Sequence, residues 1–249
     1  MILRRFTKHV TDQNWFAVGL DVIVVIVGIF LGTQVTAQFE YNKERVQEKL
    51  YIERLHEDAV DAYEITNINT DYRQFHLDNL NEIMRTLNEE NGRSDITNLE
   101  CNSIYESHIY ADPSVALPTI TELFSSGRIS YILDEAIKAK ISEYQIALDA
   151  SSDVTFEIQV GATIMSHQYP DVITMPMSLE GFSTIERIAV QGATTISCDY
   201  ENVMSNKAFK NDMVANAHRL SAHVRRMRIE TDLIAELHAL IDANLGVTH

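Results

Sequence analysis

The sequence predicts an all-α protein: an N-terminal transmembrane helix continuing into a long amphipathic helix, packed in a soluble helical bundle. Three observations carry this reading. The run from Trp15 to Gln34 holds one charged residue, Asp21. Gly and Pro are then missing from position 33 to position 91. Four prolines and nine glycines are few for 249 residues, so little of the chain has turn chemistry.

The apolar run comes first. A helix over residues 15–34 rises about 1.5 Å per residue and is about 30 Å long, the thickness of a bilayer's hydrocarbon core. Trp15 suits the headgroup level. Asp21 costs about 2.5–3.5 kcal/mol inside a membrane, so it should face a partner or a polar cavity, the alternative being a shallow position from which it snorkels. Gly28 and Gly32 form a small-xxx-small pair that lets a second helix approach closely. Asp21, Val25, Gly28 and Gly32 follow 4-3-4 spacing and share one helix face. This face is the candidate contact with another membrane helix. Arg4, Arg5 and Lys8 resemble the start of a signal peptide. The apolar run is longer than a cleaved signal's h-region, and no Ala-x-Ala-like site follows it, so an uncleaved anchor is expected.

The domain reading is a tail at 1–14, a transmembrane helix at 15–34 and an acidic α-helical domain at 35–249. Of 20 basic and 36 acidic residues, three and two lie in the first 34 positions, leaving 17 basic against 34 acidic. Such a surface repels phosphate, which disfavours nucleic acid as a partner, so none is expected. The bilayer is the expected lipid contact, through the anchor. The basic tail should stay inside and the domain reach the periplasm, although Lys43, Arg45 and Lys49 flank the other end.

From Ile52 the apolar residues Leu55, Ala59, Ala62, Ile65, Ile68, Tyr72, Phe75, Leu80, Ile83 and Leu87 recur at helical spacing. Glu53, Arg54, Glu57, Asp61, Glu64, Arg73 and Asp78 fall on the opposite face, the expected solvent side. Thr66 to Asp71 is a run of poor helix formers where a kink is expected, and Asn91-Gly92 should end the helix. Further helices are predicted over 95–110, 119–126, 134–166 and 206–245. Gly127 stops the second, Asp134 caps the third and Gly246 follows the last. Residues 169–181 read as irregular. Ser183-Thr-Ile-Glu186 has capping-box spacing for a short helix ending near Gly192. Thr155 to Val160 alternates too briefly for a strand.

Beyond these elements the chain resembles a known group. Gly19 to Val35, with Asp21, Gly28-Ile29 and Gln34, is similar to the opening of a family of uncharacterised bacterial single-pass membrane-anchored helical proteins. Their first helix has an acidic residue, a Val-Val-Ile-Gly-Ile-like core and a Leu-Gln edge. Tyr51 to Asp58 resembles the family's next helix. Pro118 to Ile132 resembles its internal motif, in which Ser126-Gly127 closes a short helix. The chain departs after Gln34, where Val-Thr-Ala-Gln-Phe replaces Asn-Trp. The resemblance covers about a quarter of the chain and implies an anchor plus a helical domain, with no activity attached.

No residue set reads as catalytic, cofactor-binding or metal-ligating. Glu53-x-x-His56 has di-iron spacing, but no second copy exists, so a solvated helix face is expected. Ser125-Ser126-Gly127 lacks a nucleophile elbow's flanking glycine. Met165, His167, Met175 and Met177 read as packing rather than a soft metal site. His218, Arg219, His223, Arg225, Arg226 and Arg228 form a basic run, read either as a docking patch or as charges paired within the molecule. Cys101 and Cys198 pair as a disulfide in an exported domain and stay thiols in a reducing compartment; the sequence leaves both open.

The expectation is therefore a non-enzymatic accessory or scaffold subunit of the bacterial inner membrane. It meets a membrane protein complex, or itself as a homo-oligomer, through the anchor. The alternative is a ligand-sensing extracytoplasmic bundle with a transmembrane signalling helix.

Overall fold

Helix dominates because the chain supplies helix caps at intervals and almost nothing that breaks a helix between them. The computed structural model describes residues 15–88, 94–110, 115–175 and 196–247. In order, they form α1 (Trp15–Asn88), α2 (Asn98–Glu106), α3 (Pro118–Ser125), a 3-10 turn (Arg128–Tyr131), α4 (Glu135–Gly161), α5 (Met165–Gln168), β1 (Ile173–Thr174), β2 (Ser197–Cys198), α6 (Tyr200–Ser205) and α7 (Lys207–Leu245). The tail at 1–14, Asn91-Gly92, Met177, the capping box at Ser183–Glu186 and Gly192 lie outside the described residues.

Local chemistry sets the boundaries. Thr97 accepts from the Glu100 amide while the Glu100 carboxylate accepts from the Thr97 amide at 2.9 Å, a capping box that starts α2 at Asn98 rather than at 95. Pro118 stands at the first position of α3, where its missing N–H is harmless. The Asp134 carboxylate accepts from the Ala136 and Ile137 amides at 2.9 and 3.2 Å and opens α4. Asn206 does the same for α7 through the Phe209 amide at 3.0 Å. Gly127 and Gly246 sit at φ 69° and 70°, a left-handed conformation that closes α3 and α7 and suits glycine. The 155–160 segment is helical within α4. Strand structure among the described residues is one antiparallel pair, Ile173 with Cys198 and Thr174 with Ser197.

Residues 66–71 do not break α1. Thr66 Oγ1 donates to the Ala62 carbonyl, and Thr70 Oγ1 donates to the Thr66 carbonyl at 2.7 Å, so both hydroxyls are satisfied within the helix.

The chain divides into units 1–51 and 52–249. In the first, α1 carries an 18-residue window of mean hydropathy 2.2, none of it buried. In the second, Leu77, Leu80, Cys101, Ile104, Met165, Val172, Phe209, Met213 and Leu220 belong to one hydrophobic core. Each fully buried Leu, Ile or Phe there contributes about 1.5–3 kcal/mol relative to exposure. Toward the other end of α7, Leu55, Ile120, Leu123, Ile137, Ile141, Tyr144, Ile234, Leu237 and Ile241 are buried. Helix ends are tied in by polar contacts: Asp58 Oδ2 accepts from the Thr119 amide at 2.7 Å, and Arg54 donates to Glu122 at 2.6 Å.

The segment after α4 is held by one buried amide. Asn216 Oδ1 accepts from the Thr163 amide at 3.1 Å, and its Nδ2 donates to the Thr163 carbonyl at 2.8 Å. Asn216 thereby pairs with Thr163 as a neighbouring strand would, and α4 ends at Gly161 instead of 166.

The buried stripe of α1 departs from the sequence expectation. Ile65 and Ile68 are exposed, and the stripe passes instead through Thr66, Thr70, Arg73 and His76. Arg73 was expected on the solvent face. It is buried because Glu106 of α2 accepts its Nη1 proton at 3.1 Å. His76 is buried because its Nδ1 meets Ser103 Oγ at 2.9 Å.

Burial pushes the His76 imidazole down to about 3, with the nearby Arg73 charge adding to the shift. In the unfolded chain this histidine takes its proton near 6.5. Between those values the unfolded state holds one more proton. The contribution of neutral His76 is therefore complete above about pH 6.5 and is lost as pH falls toward 3, at about 1.4 kcal/mol per pH unit. We expect unfolding free energy, measured in urea from pH 7 to 4, to fall more steeply in wild type than in His76→Gln by that slope. Equal slopes would refute it.

Candidate functional site

The first candidate is the exposed face of α1 in the first unit. Ile23, Val24, Ile26, Ile29, Phe30 and Leu31 are all more than half exposed. Water does not tolerate so continuous an apolar surface, whereas lipid does. Asp21 is half-buried, while Gly28 and Gly32 are exposed. A Cβ added to either glycine would meet no described atom within 4 Å. The surface is concave beside Gly32, where Ile29, Thr33, Thr36, Ala37 and Glu40 line a shallow hollow. The glycines thus serve no packing among the described residues, and their missing side chains leave room for another helix.

The second candidate lies wholly in the second unit and was not read as a site from the sequence. His56 of α1 is half-buried rather than solvated. Its Nε2 stands 2.9 Å from Asp242 Oδ1 and 3.2 Å from His238 Nε2. His238 Nε2 lies 3.5 Å from the same Asp242 oxygen. The two rings are 4.9 Å apart between centroids and tilted by 39°. One turn of α7 separates His238 from Asp242, so both project from one side of that helix. Glu53, the other half of the Glu-x-x-His spacing, stays exposed. The signal available in sequence was His238-x-x-x-Asp242, an i, i+4 donor pair; its partner His56 is 182 residues away.

The remaining sequence candidates disperse. His223 is fully buried, with its ring against Tyr110 at 5.3 Å, so it has no part in a surface patch. Arg226 donates to the Ser151 carbonyl at 3.0 Å, Arg228 to Gln74 at 2.9 Å, and Arg219 to Asn216 at 3.5 Å. His218 and Arg225 are exposed. The basic run is therefore spent largely on contacts within the molecule, mostly with neutral groups. Met165 is buried in the core and Met175 packs against it, while His167 is exposed. Ser126 caps α3 and Gly127 turns the chain.

Cys101 and Cys198 form a disulfide with their Cα atoms 5.5 Å apart. It joins α2 to β2 beside the hydrophobic core.

Fold and sites together define an all-α protein in which, among the described residues, one helix is long and apolar enough to cross a membrane. No protein-family model, curated protein or solved structure matches the chain.

Proposed function

We propose that this chain is a non-enzymatic, single-pass accessory or scaffold subunit of the bacterial inner membrane. Residues 15–34 cross the bilayer, and residues 35–249 form a helical bundle in the periplasm. The chain meets a membrane protein complex, or a second copy of itself, through Asp21, Val25, Gly28 and Gly32. The observation that carries this reading is the window of mean hydropathy 2.2 with none of its residues buried. The Cys101–Cys198 disulfide supports an oxidising compartment for the second unit.

The test is association in membranes. Gly28→Leu with Gly32→Leu should reduce in-membrane crosslinking several-fold without stopping insertion, because leucine is at least as apolar. Asp21→Asn should cost less, about 0.6 kcal/mol or threefold, because an amide still hydrogen-bonds across helices. Undiminished crosslinking in the double leucine variant removes this face as the contact.

A further inference from the structure

We propose that His56, His238 and Asp242 bind one divalent late transition-metal ion, with zinc as the best fit, and leave a fourth coordination position open. The geometry is that of a metal-binding face. Zinc takes histidine nitrogen and carboxylate oxygen at about 2.0–2.2 Å, so two donors of a tetrahedral site stand about 3.3 Å apart. The three donor atoms here are separated by 2.9, 3.2 and 3.5 Å. An ion seated over this triangle reaches all three atoms after shifts of a few tenths of an ångström.

Charge points the same way. Two imidazole nitrogens and a carboxylate oxygen all lie within 4.8 Å of one another. A single cation can be ligated by all three atoms at once. The donor set also chooses the cation. Imidazole suits zinc, copper and nickel, whereas magnesium and calcium demand more oxygen ligands than one aspartate provides.

Placement gives the ion its role. His238 and Asp242 come from the last turns of α7 and His56 from α1, so the ion fastens the two helices together. The site exists only in the folded unit, which couples binding to folding. The side chains of His56, His238 and Asp242 are 17%, 23% and 20% exposed, so solvent or a small anionic ligand can reach the fourth position.

The experiment uses the full chain in detergent micelles, without a polyhistidine tag and stripped with a chelator. Titration calorimetry with zinc chloride should give one ion per chain, and the thermal midpoint should rise with zinc but not with magnesium. His238→Ala and Asp242→Asn should each weaken zinc binding at least tenfold, with far-UV helicity unchanged in the absence of metal. Asp242→Asn keeps the shape of the native side chain and one acceptor oxygen while removing the charge, so a loss of affinity with unchanged helicity reads ligation rather than folding. Absence of stoichiometric zinc binding, equal binding of magnesium, or wild-type affinity in either variant would overturn the site.

Discussion

Replacing Cys101 and Cys198 together by alanine should lower the stability of the second unit by about 3–5 kcal/mol. The two cysteines are 97 residues apart in sequence, so their bond closes a long loop and removes much freedom from the unfolded chain. Cys101 is fully buried in the core beside Leu80 and Ile104, so a thiol or methyl there still packs without exposing a polar group. The loss should therefore come mainly from the missing cross-link. Urea unfolding followed by circular dichroism measures it, with wild type in reductant as the second arm. Reduced wild type should fall close to the double variant. A loss under 1 kcal/mol in both arms would mean the bond closes a loop that is already constrained.

Glu106→Leu should cost about 3–5 kcal/mol, because it strands the Arg73 guanidinium in the interior. The side chains of Arg73 and Glu106 are 6% and 5% exposed, so water cannot take the place of the missing partner. The stacking of Arg73 over the Tyr72 ring, 5.2 Å from its centroid, does not replace a carboxylate. Adding Arg73→Met should then recover most of the loss, since a buried pair exchanged for apolar side chains of similar size is often neutral. The double-mutant cycle separates the two effects, measured again as unfolding free energy. A single variant as stable as wild type would show that Arg73 finds another route to charge compensation or solvent.

Element boundaries were legible because they are local. Asp134, Asn206, Gly127 and Gly246 act on residues within a turn of themselves, and each does in three dimensions what its position in sequence implies. The long α1 was legible for the same reason: neither Gly nor Pro occurs from 33 to 91, and the helix runs to Asn88. Thr97 also signals its capping box with Glu100, and placing the helix start at 95 overlooked that local signal.

Two things needed distant partners. The inward face of α1 from Thr66 to His76 looks like a solvent face, since Thr, Arg and His read as polar. Burial of Arg73 and His76 depends on Glu106 and Ser103, which lie on another helix. The basic run of α7 reads as one patch, yet a helix distributes its residues around its whole circumference. Neighbouring elements then decide that His223 is buried while Arg225 is exposed.

The sequence by itself determined that the chain is helical, where most helices stop, and that its first helix carries an apolar surface of membrane length. These follow from backbone chemistry and from hydrophobicity summed over neighbouring residues. Only the tertiary structure decided which polar residues turn inward, that Cys101 meets Cys198, and that His56 meets His238 and Asp242. The physical reason is the same in each case. A buried polar side chain is stable only through a specific partner, and that partner is chosen by the packing of helices far apart in sequence.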